Sequence, residues 1–323
     1  MTQSTSPAPV FPRPHAMPSA LTGVVLVGAA ALLWGTTGTA QSLGAGALSP
    51  LWVGAAQLAV ASVFFACVLW IAPRRSGPRL FSPSQCGLKT HWFALASLGV
   101  AGYSICFYAG VKLAGVAVGT AVAIGSGPIW AGMIQALLLR LPLSRLWWVG
   151  TLISVGGGAA MVLSRSSGAT TSWAGLALCL LAGLSYASYA LINKRLVAQA
   201  PTNVVNFYVF TGAALIAAPC AFLLAGAPQW TPSAALVVLY LGVVVSGIAY
   251  VLFSSGLRGI SGATGVTLTL IEPVAAFLLA VWIVGEHQPL SSWLGMLALL
   301  AGVLVVIRAE IVGPRLPISA ASP

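Results

Sequence analysis

Two stretches decide the architecture: residues 128–150, PIWAGMIQALLLRLPLSRLWWVG, and residues 273–295, PVAAFLLAVWIVGEHQPLSSWLG. Pro128, Trp148 and Gly150 in the first match Pro273, Trp293 and Gly295 in the second, each shifted by 145, and just beyond them Gly157 matches Gly302 at the same shift. Working outward, Gly110 and Lys112 match Gly256 and Arg258 at a shift of 146, while Gly23, Ala30 and Trp34 match Gly175, Ala182 and Tyr186 at 152. The chain is therefore written twice, with small insertions between the matching blocks.

With 59% hydrophobic and 5% charged residues in 323, the chain carries more apolar side chain than a water-soluble core of that size can hide, so lipid must be its solvent. Spanning roughly 30 Å of hydrocarbon takes on the order of 17 to 25 helical residues. Such runs lie near 21–41, 51–72, 92–111, 116–139 and 146–163 in the first half. Those of the second lie near 173–192, 204–225, 233–254, 262–284 and 291–308. Unbroken apolar runs of this length exclude a β-barrel, whose strands are short and alternating. The expected fold is an all-α integral membrane protein of ten transmembrane helices. Five spans per half is an odd number, so the second half enters the membrane in the opposite sense and the repeat is inverted.

The net charge of +11 does not point to nucleic acid, because the basic residues stand singly between apolar runs. With the N-terminus inside, twelve of the fourteen Lys and Arg fall on the cytoplasmic side, leaving only Lys112 and Arg165 outside. Residues 1–20 are polar and Pro-rich and read as a disordered cytoplasmic tail rather than a cleavable signal. The first five-helix repeat covers 21–164, the second 173–308, and 309–323 reads as another cytoplasmic tail. The five cysteines have no framework or metal-knuckle spacing, so structural packing is their expected use.

LLWGTTGTA at 32–40, and IEPVAAFLLAVWIVGE at 271–286 followed by a Gly-containing last span, resemble the EamA-like branch of the drug/metabolite transporter superfamily. The resemblance extends over nearly the whole chain. It implies ten helices around a central cavity, both termini cytoplasmic, and export of amino acids, related metabolites or toxic compounds. It is specific for fold and vague for cargo. The first half departs from the pattern in having Gly127 before Pro128 where the second has Glu272 before Pro273.

The chemistry available is narrow. There is no Asp, and only Glu272, Glu286 and Glu310 are acidic, so paired-carboxylate catalysis within the membrane is not available. His15, His91 and His287 lie in the tail, at the inner interface and in an outer loop, away from Ser126 and Ser246, so no serine triad is legible. No phosphate loop is present, and no enzyme activity, cofactor or metal is expected. Glu272 alone among the acids sits well inside a span, where a charged carboxylate costs roughly 2.5 to 3.5 kcal/mol. It serves either as a proton-coupling or substrate-amine site, or as a protonated group tying backbone freed by Pro273. Pro128 and Pro273 are candidate hinges.

Polar side chains at helical spacing mark faces turned toward protein or water. Trp34, Thr37 and Gln41 share one such face, Ser104 and Tyr108 another, Ser185, Ser188 and Tyr189 a third. Ser246, Tyr250 and Ser254 form a fourth, Thr269 stands with Glu272, and Gln57 and Asn206 each add an amide. For every stripe, helix-to-helix hydrogen bonding of about 0.6 to 2 kcal/mol competes with ligand contact. The expected binding site is drawn from Trp34, Thr37, Gln41, Gln57, Tyr108, Ser185, Tyr189, Asn206, Tyr250 and Thr269, around a small polar or zwitterionic solute. A secondary exporter across a bacterial inner membrane, as monomer or homodimer, is the leading reading. The alternatives are a non-transporting membrane scaffold or subunit, and a carrier of phosphorylated or nucleotide-linked metabolites, which would want several buried cations. A transporter should hold one polar, water-accessible chamber at mid-membrane; a scaffold should be packed solid there.

Overall fold

In hydrocarbon every backbone N–H and C=O must be satisfied within its own segment, so long apolar runs fold as helices. The computed structural model describes residues 18–44, 46, 48–71, 89–163, 172–283, 285 and 287–312, without the side chains of 116 and 117. Among them, ten helices are long and apolar enough to span: α1 Ala20–Gly44, α2 Pro50–Ile71, α3 Thr90–Ala114, α4 Val118–Leu138 and α5 Arg145–Leu163. The second half supplies α6 Trp173–Gln199, α7 Thr202–Ala225, α8 Pro232–Gly256, α9 Gly262–Trp282 and α10 Leu290–Val312. The spans expected from sequence are all present. Several run further, most of all α6, which continues to Gln199, carrying Asn193 and Lys194, and α10, which continues to Val312, so Ala309 and Glu310, read as the start of a tail, are helical. Ala20, read as the end of the first tail, begins α1 with Ser19 capping it; residues 1–17 and 313–323, Glu286 and Arg165 lie outside the described residues.

Leu21, Leu32, Val63, Leu98, Leu152, Leu215, Leu236 and Leu304 point outward from the bundle. Such a belt is a liability in water and the ordinary surface of a protein in lipid.

The neighbour relations obey the repeat. Exchanging α1 with α6, α2 with α7, α3 with α8, α4 with α9 and α5 with α10 turns the α3–α6 contact into α8–α1, α4–α6 into α9–α1, and α3–α7 into α8–α2, all of which occur. The α2–α7 and α5–α10 contacts map onto themselves. That is the signature of a pseudo-twofold axis.

The repeated glycines show how the symmetry is built. A Cβ on Gly150 would lie 2.9 Å from the Gly302 carbonyl oxygen, and one on Gly295 would lie 2.8 Å from that of Gly157. The sequence pairs Gly150 with Gly295 and Gly157 with Gly302; the fold packs them crosswise, as a twofold requires. The same crossing recurs at Gly23, whose Cβ would lie 2.8 Å from the Gly256 oxygen, and at Gly110, whose Cβ would lie 3.1 Å from that of Gly175. Lipid offers no hydrophobic drive for helices to associate, so close backbone approach through small residues is what holds these seams. The stripe Gly150, Ser154 and Gly158 is spent on this packing, with the Ser154 hydroxyl donating to the Leu299 oxygen at 3.3 Å.

Candidate functional site

Four spans are irregular, and the irregular turns of three of them converge. α1 is two helices, Ala20–Trp34 and Thr37–Gly44, joined at Gly35–Thr36. α9 is likewise Gly262–Leu268 and Ile271–Trp282, joined at Thr269–Leu270. Pro273 lacks an N–H and cannot continue the ladder; short-range bonds from Leu270 N to Thr267 O at 3.1 Å and from Glu272 N to Thr269 O at 2.9 Å carry the chain through the break. A Cβ on Gly35 would meet the Glu272 carbonyl oxygen at 2.7 Å, so the two breaks lie against each other and only glycine fits. Beside them α8 widens into a π-helical segment, Leu241–Ile248, and the Trp34 indole donates to the Val245 carbonyl inside it at 2.9 Å. Irregular backbone within a membrane span survives where protein or a cavity surrounds it, and transporters build binding sites from such broken helices.

Aromatic rings fill the junction. Trp34 lies 5.0 Å from Tyr250, 5.2 Å from Phe253 and 6.4 Å from Tyr186 between ring centroids. Tyr186 in turn reaches Tyr103 at 5.5 Å and Tyr189 at 6.3 Å. Trp34 and Tyr186 are repeat equivalents, so their contact puts this cluster on the pseudo-twofold axis. The Glu272 carboxyl is within electrostatic reach of the hydroxyls of Tyr103, Tyr108, Tyr186 and Tyr250. Gln41 donates toward the Tyr108 hydroxyl at 3.4 Å, and Thr37 bonds the Trp34 carbonyl at 2.6 Å. Thr37, Gln41, Tyr103, Tyr108, Tyr186 and Glu272 all remain partly exposed, whereas α9 from Gly262 to Leu270 is buried at every position. The first part of α9 is therefore sealed, while the polar centre beyond it keeps partial exposure.

No hydrogen bond from the Glu272 carboxyl to any group occurs among the described residues. The reading of Glu272 as a tie for backbone freed by Pro273 is not what the geometry displays. The junction satisfies its own backbone, and the carboxyl is left over.

Of the residues expected at the site, Trp34, Thr37, Gln41, Tyr108, Tyr189, Tyr250 and Glu272 gather here, with Tyr189 packed 6.0 Å from Tyr250 and itself buried. Thr269 sits in the α9 break with its hydroxyl on the Val266 oxygen at 2.7 Å. Three go elsewhere. Ser185 lies in the α3–α6 seam, its hydroxyl 3.2 Å from where a Cβ on Gly102 would stand. Asn206 donates to the Tyr250 oxygen at 3.2 Å and accepts from Ser254 at 2.9 Å, while Asn193 donates to Ser254 at 2.9 Å, a buried network tying α6, α7 and α8. Gln57 has its carbonyl oxygen buried without a partner on α2, where its backbone oxygen would be 3.2 Å from a Cβ on Gly242. Of the proline hinges, Pro273 stands just past the α9 break, whereas α4 passes through Pro128 as α-helix and departs only later, at the π-helical Ile134–Leu138.

Sequence reading missed Tyr103, Tyr186 and Phe253 at the centre. The signal for Tyr186 was its match to Trp34. It also gave no role to Glu310, whose carboxylate accepts from the Ser261 N–H at 2.7 Å, the Ser261 hydroxyl at 3.0 Å and the Thr264 hydroxyl.

A groove of about 590 Å³ lies between α2 and α7, lined by Ala59, Ala214, Leu215 and Phe222. Its Ser62 and Thr211 hydroxyls bond each other at 2.6 Å.

A spanning bundle of inverted halves with broken helices at a polar centre defines the transporter class of membrane protein. Residues 21–163 and 173–308 match the EamA-like transporter family, once per half, and the chain belongs to that family. It is 34% identical over 285 residues to the uncharacterized transporter YwfM of Bacillus subtilis (strain 168), spanning 87% of this chain and 92% of that one. An uncharacterized transporter of Archaeoglobus fulgidus is 28% identical over 134 residues, 42% of this chain and 48% of that protein. A solved structure titled only as the crystal structure of a protein superposes with a TM-score of 0.76 at 21% identity, covering 89% of this chain and 98% of that one. That likeness speaks for the fold alone.

Proposed function

We propose that this chain is a secondary transporter that exports a small amine-bearing metabolite, such as an amino acid, across the bacterial inner membrane by alternating access, with both termini cytoplasmic. One observation carries the reading: the Glu272 carboxyl stands without a hydrogen-bond partner among the described residues, at the meeting of two broken helices beside the aromatic cluster on the pseudo-twofold axis, within electrostatic reach of four tyrosines. A primary or substituted ammonium is held by a carboxylate and by the faces of aromatic rings, worth about 2 kcal/mol or more per desolvated cation–π contact. Tyrosine hydroxyls and Gln41 are on hand for a second polar group.

The same carboxyl gives a coupling mechanism. A bare carboxylate in a span costs roughly 2.5 to 3.5 kcal/mol, so it holds either a proton or a cationic cargo. Proton and cargo then exclude each other at one atom pair, and an inward proton gradient drives cargo outward. The phosphate-ester alternative finds no support in this cluster, which contains no Lys or Arg.

The test is movement of a labelled panel of amino acids and amines in proteoliposomes, with and without a pH gradient, for wild type and Glu272→Gln. Gradient-driven flux that falls by about a hundredfold in a folded Glu272→Gln protein is expected, the loss of one obligatory charge contact being worth on the order of 3 kcal/mol. Flux indifferent to both gradient and substitution would make Glu272 structural and the protein a facilitator. Absence of any flux would return the scaffold reading.

A further inference from the structure

The sealed end of the bundle is locked by polar contacts that its symmetry mate lacks among the described residues. At the start of α9 the free backbone donors are taken by side chains, two of them from other elements. Glu310 of α10 holds the Ser261 N–H at 2.7 Å, and Gln135, from the π-helical end of α4, holds the Ala263 N–H at 3.0 Å. Ser261 itself takes the Thr264 N–H at 3.1 Å. The Trp147 indole of α5 donates to the Thr264 hydroxyl at 3.0 Å, and that hydroxyl donates to Glu310. Thr264 is wholly buried. At the same end the Lys194 ammonium of α6 donates to the Leu257 carbonyl just beyond α8 at 2.7 Å and interacts electrostatically with Glu310.

The repeat supplies the internal control. The residue capping α4 in the place of Ser261 is Gly115, with no side chain to offer. At the shift of 145, Gln135 corresponds to Ala280 and Trp147 to Ser292, whose hydroxyl goes instead to the Met161 oxygen at 3.0 Å. Burial follows the chemistry. α9 is buried at all nine positions from Gly262 to Leu270, while the equivalent start of α4 at the same shift, over its described side chains from Val118 to Gly125, buries only Gly119 and Ala123.

The mechanics are set by the backbone. The first part of α9, Gly262–Leu268, is a seven-residue rod. It is pinned at its start by these contacts and broken at its end by Thr269–Leu270, with Glu272 immediately beyond. We infer that Glu310 is the lock of a one-sided gate: its carboxylate, with Thr264, Trp147 and Gln135, holds the α9 rod shut across the basic end of the bundle, and releasing it opens that end while the other closes. The purpose of the gate rests on the transporter reading above; its geometry does not.

The test uses the full-length protein in lipid nanodiscs and peptide-resolved labelling of introduced cysteines by a soluble maleimide, each scaled to the labelling of the same cysteine in denatured protein. Val266→Cys reports the sealed end, since Val266 is wholly buried within the rod, and Gln41→Cys reports the accessible end. Adding Glu310→Gln should raise labelling at Val266→Cys by about tenfold or more, because hydrogen bonds to a charged group contribute about 1.5 to 3 kcal/mol each. Labelling at Gln41→Cys should fall by about twofold or more, because one population feeds the other. Should Glu310→Gln fail to fold, Trp147→Phe removes only the indole donor and should move both labels in the same directions by less. Labelling at Val266→Cys unchanged in both variants overturns the lock. A rise there with Gln41→Cys unchanged also overturns it, by showing a frayed helix start rather than a gate. Opposed changes in a protein that moves no cargo in proteoliposomes leave the lock standing and remove the transport reading alone.

Discussion

The α5–α10 pair and the α4–α9 pair descend from the same repeat and have diverged by very different amounts. In α5 the buried residues are Trp147, Gly150, Thr151, Ser154, Gly157, Gly158 and Met161; adding 145 to each gives Ser292, Gly295, Met296, Leu299, Gly302, Val303 and Val306, every one buried in α10. α4 and α9 keep no such correspondence. α4 is α-helical through Pro128, whereas α9 breaks three residues before Pro273, and Gly127 stands where α9 has Glu272. Where the two halves hold each other, symmetry persists, because a contact lying on a twofold must satisfy both partners with one pattern. Where the molecule binds and gates, symmetry is broken, because an identical carboxyl and an identical lock on both sides would give neither a single site nor a preferred closed end.

The comparison is sharpened first at its most divergent position. Glu272→Gln should abolish gradient-driven flux, by about a hundredfold, while leaving thermal stability in detergent near wild type, since no hydrogen bond ties the carboxyl among the described residues. A folded but inert protein separates function from packing; a collapsed one would show that α9 is held by Glu272 after all.

The symmetric seam makes the opposite prediction. A Cβ on Gly157 would lie 2.7 Å from the Gly295 carbonyl oxygen, while one on the adjacent Gly156 would meet nothing within 4 Å. Gly157→Ala should therefore cost about 1 to 3 kcal/mol through overpacking of rigid backbone, read as a lower midpoint in thermal unfolding, and Gly156→Ala should cost nothing. Equal effects in the two would mean that the α5–α10 contact is not what holds the halves together.

Between the extremes lies Trp34→Phe. It keeps a ring against Tyr250 and Phe253 but leaves the Val245 carbonyl of the π-helical segment without its donor. A loss of about 1 kcal/mol in stability is expected, with a larger effect on apparent cargo affinity than on fold. The smallest effect belongs to Gly127→Ala, whose added methyl would meet Val266 at an ordinary 3.5 Å and Tyr186 at 3.8 Å. Helix propensity should make it neutral or stabilising by about 0.5 to 1 kcal/mol. Substantial destabilisation there would show that the two proline segments are more alike than their burial implies.

Much of the molecule was legible before folding. Spans follow from composition, because hydrocarbon leaves the backbone no choice but the helix, and inversion follows from the repeat and an odd count. The glycines at 150, 157, 295 and 302 announced a seam without saying with what; the crosswise pairing needed the fold. Trp34, Tyr108, Tyr250 and Glu272 were found as polar or aromatic groups on apolar helices, where such groups must turn inward. Ser185 and Asn206 satisfy the same rule by bonding helix to helix, which periodicity cannot separate from lining a site. Tyr103, Tyr186 and Phe253 were passed over because an aromatic ring in a membrane span is as much at home in lipid as in a core.

By itself, the sequence determined the ten spans, the inverted repeat and the one intramembrane carboxyl. Those depend on local properties: transfer of side chains to lipid and satisfaction of backbone within a segment. Only the tertiary structure decided that the breaks in α1 and α9 meet, that Trp34 finds Tyr186, and that Glu310 reaches back to the start of α9. Such contacts join residues far apart in the chain, and their selection depends on which helix faces pack together, a quantity that no single stretch of sequence carries.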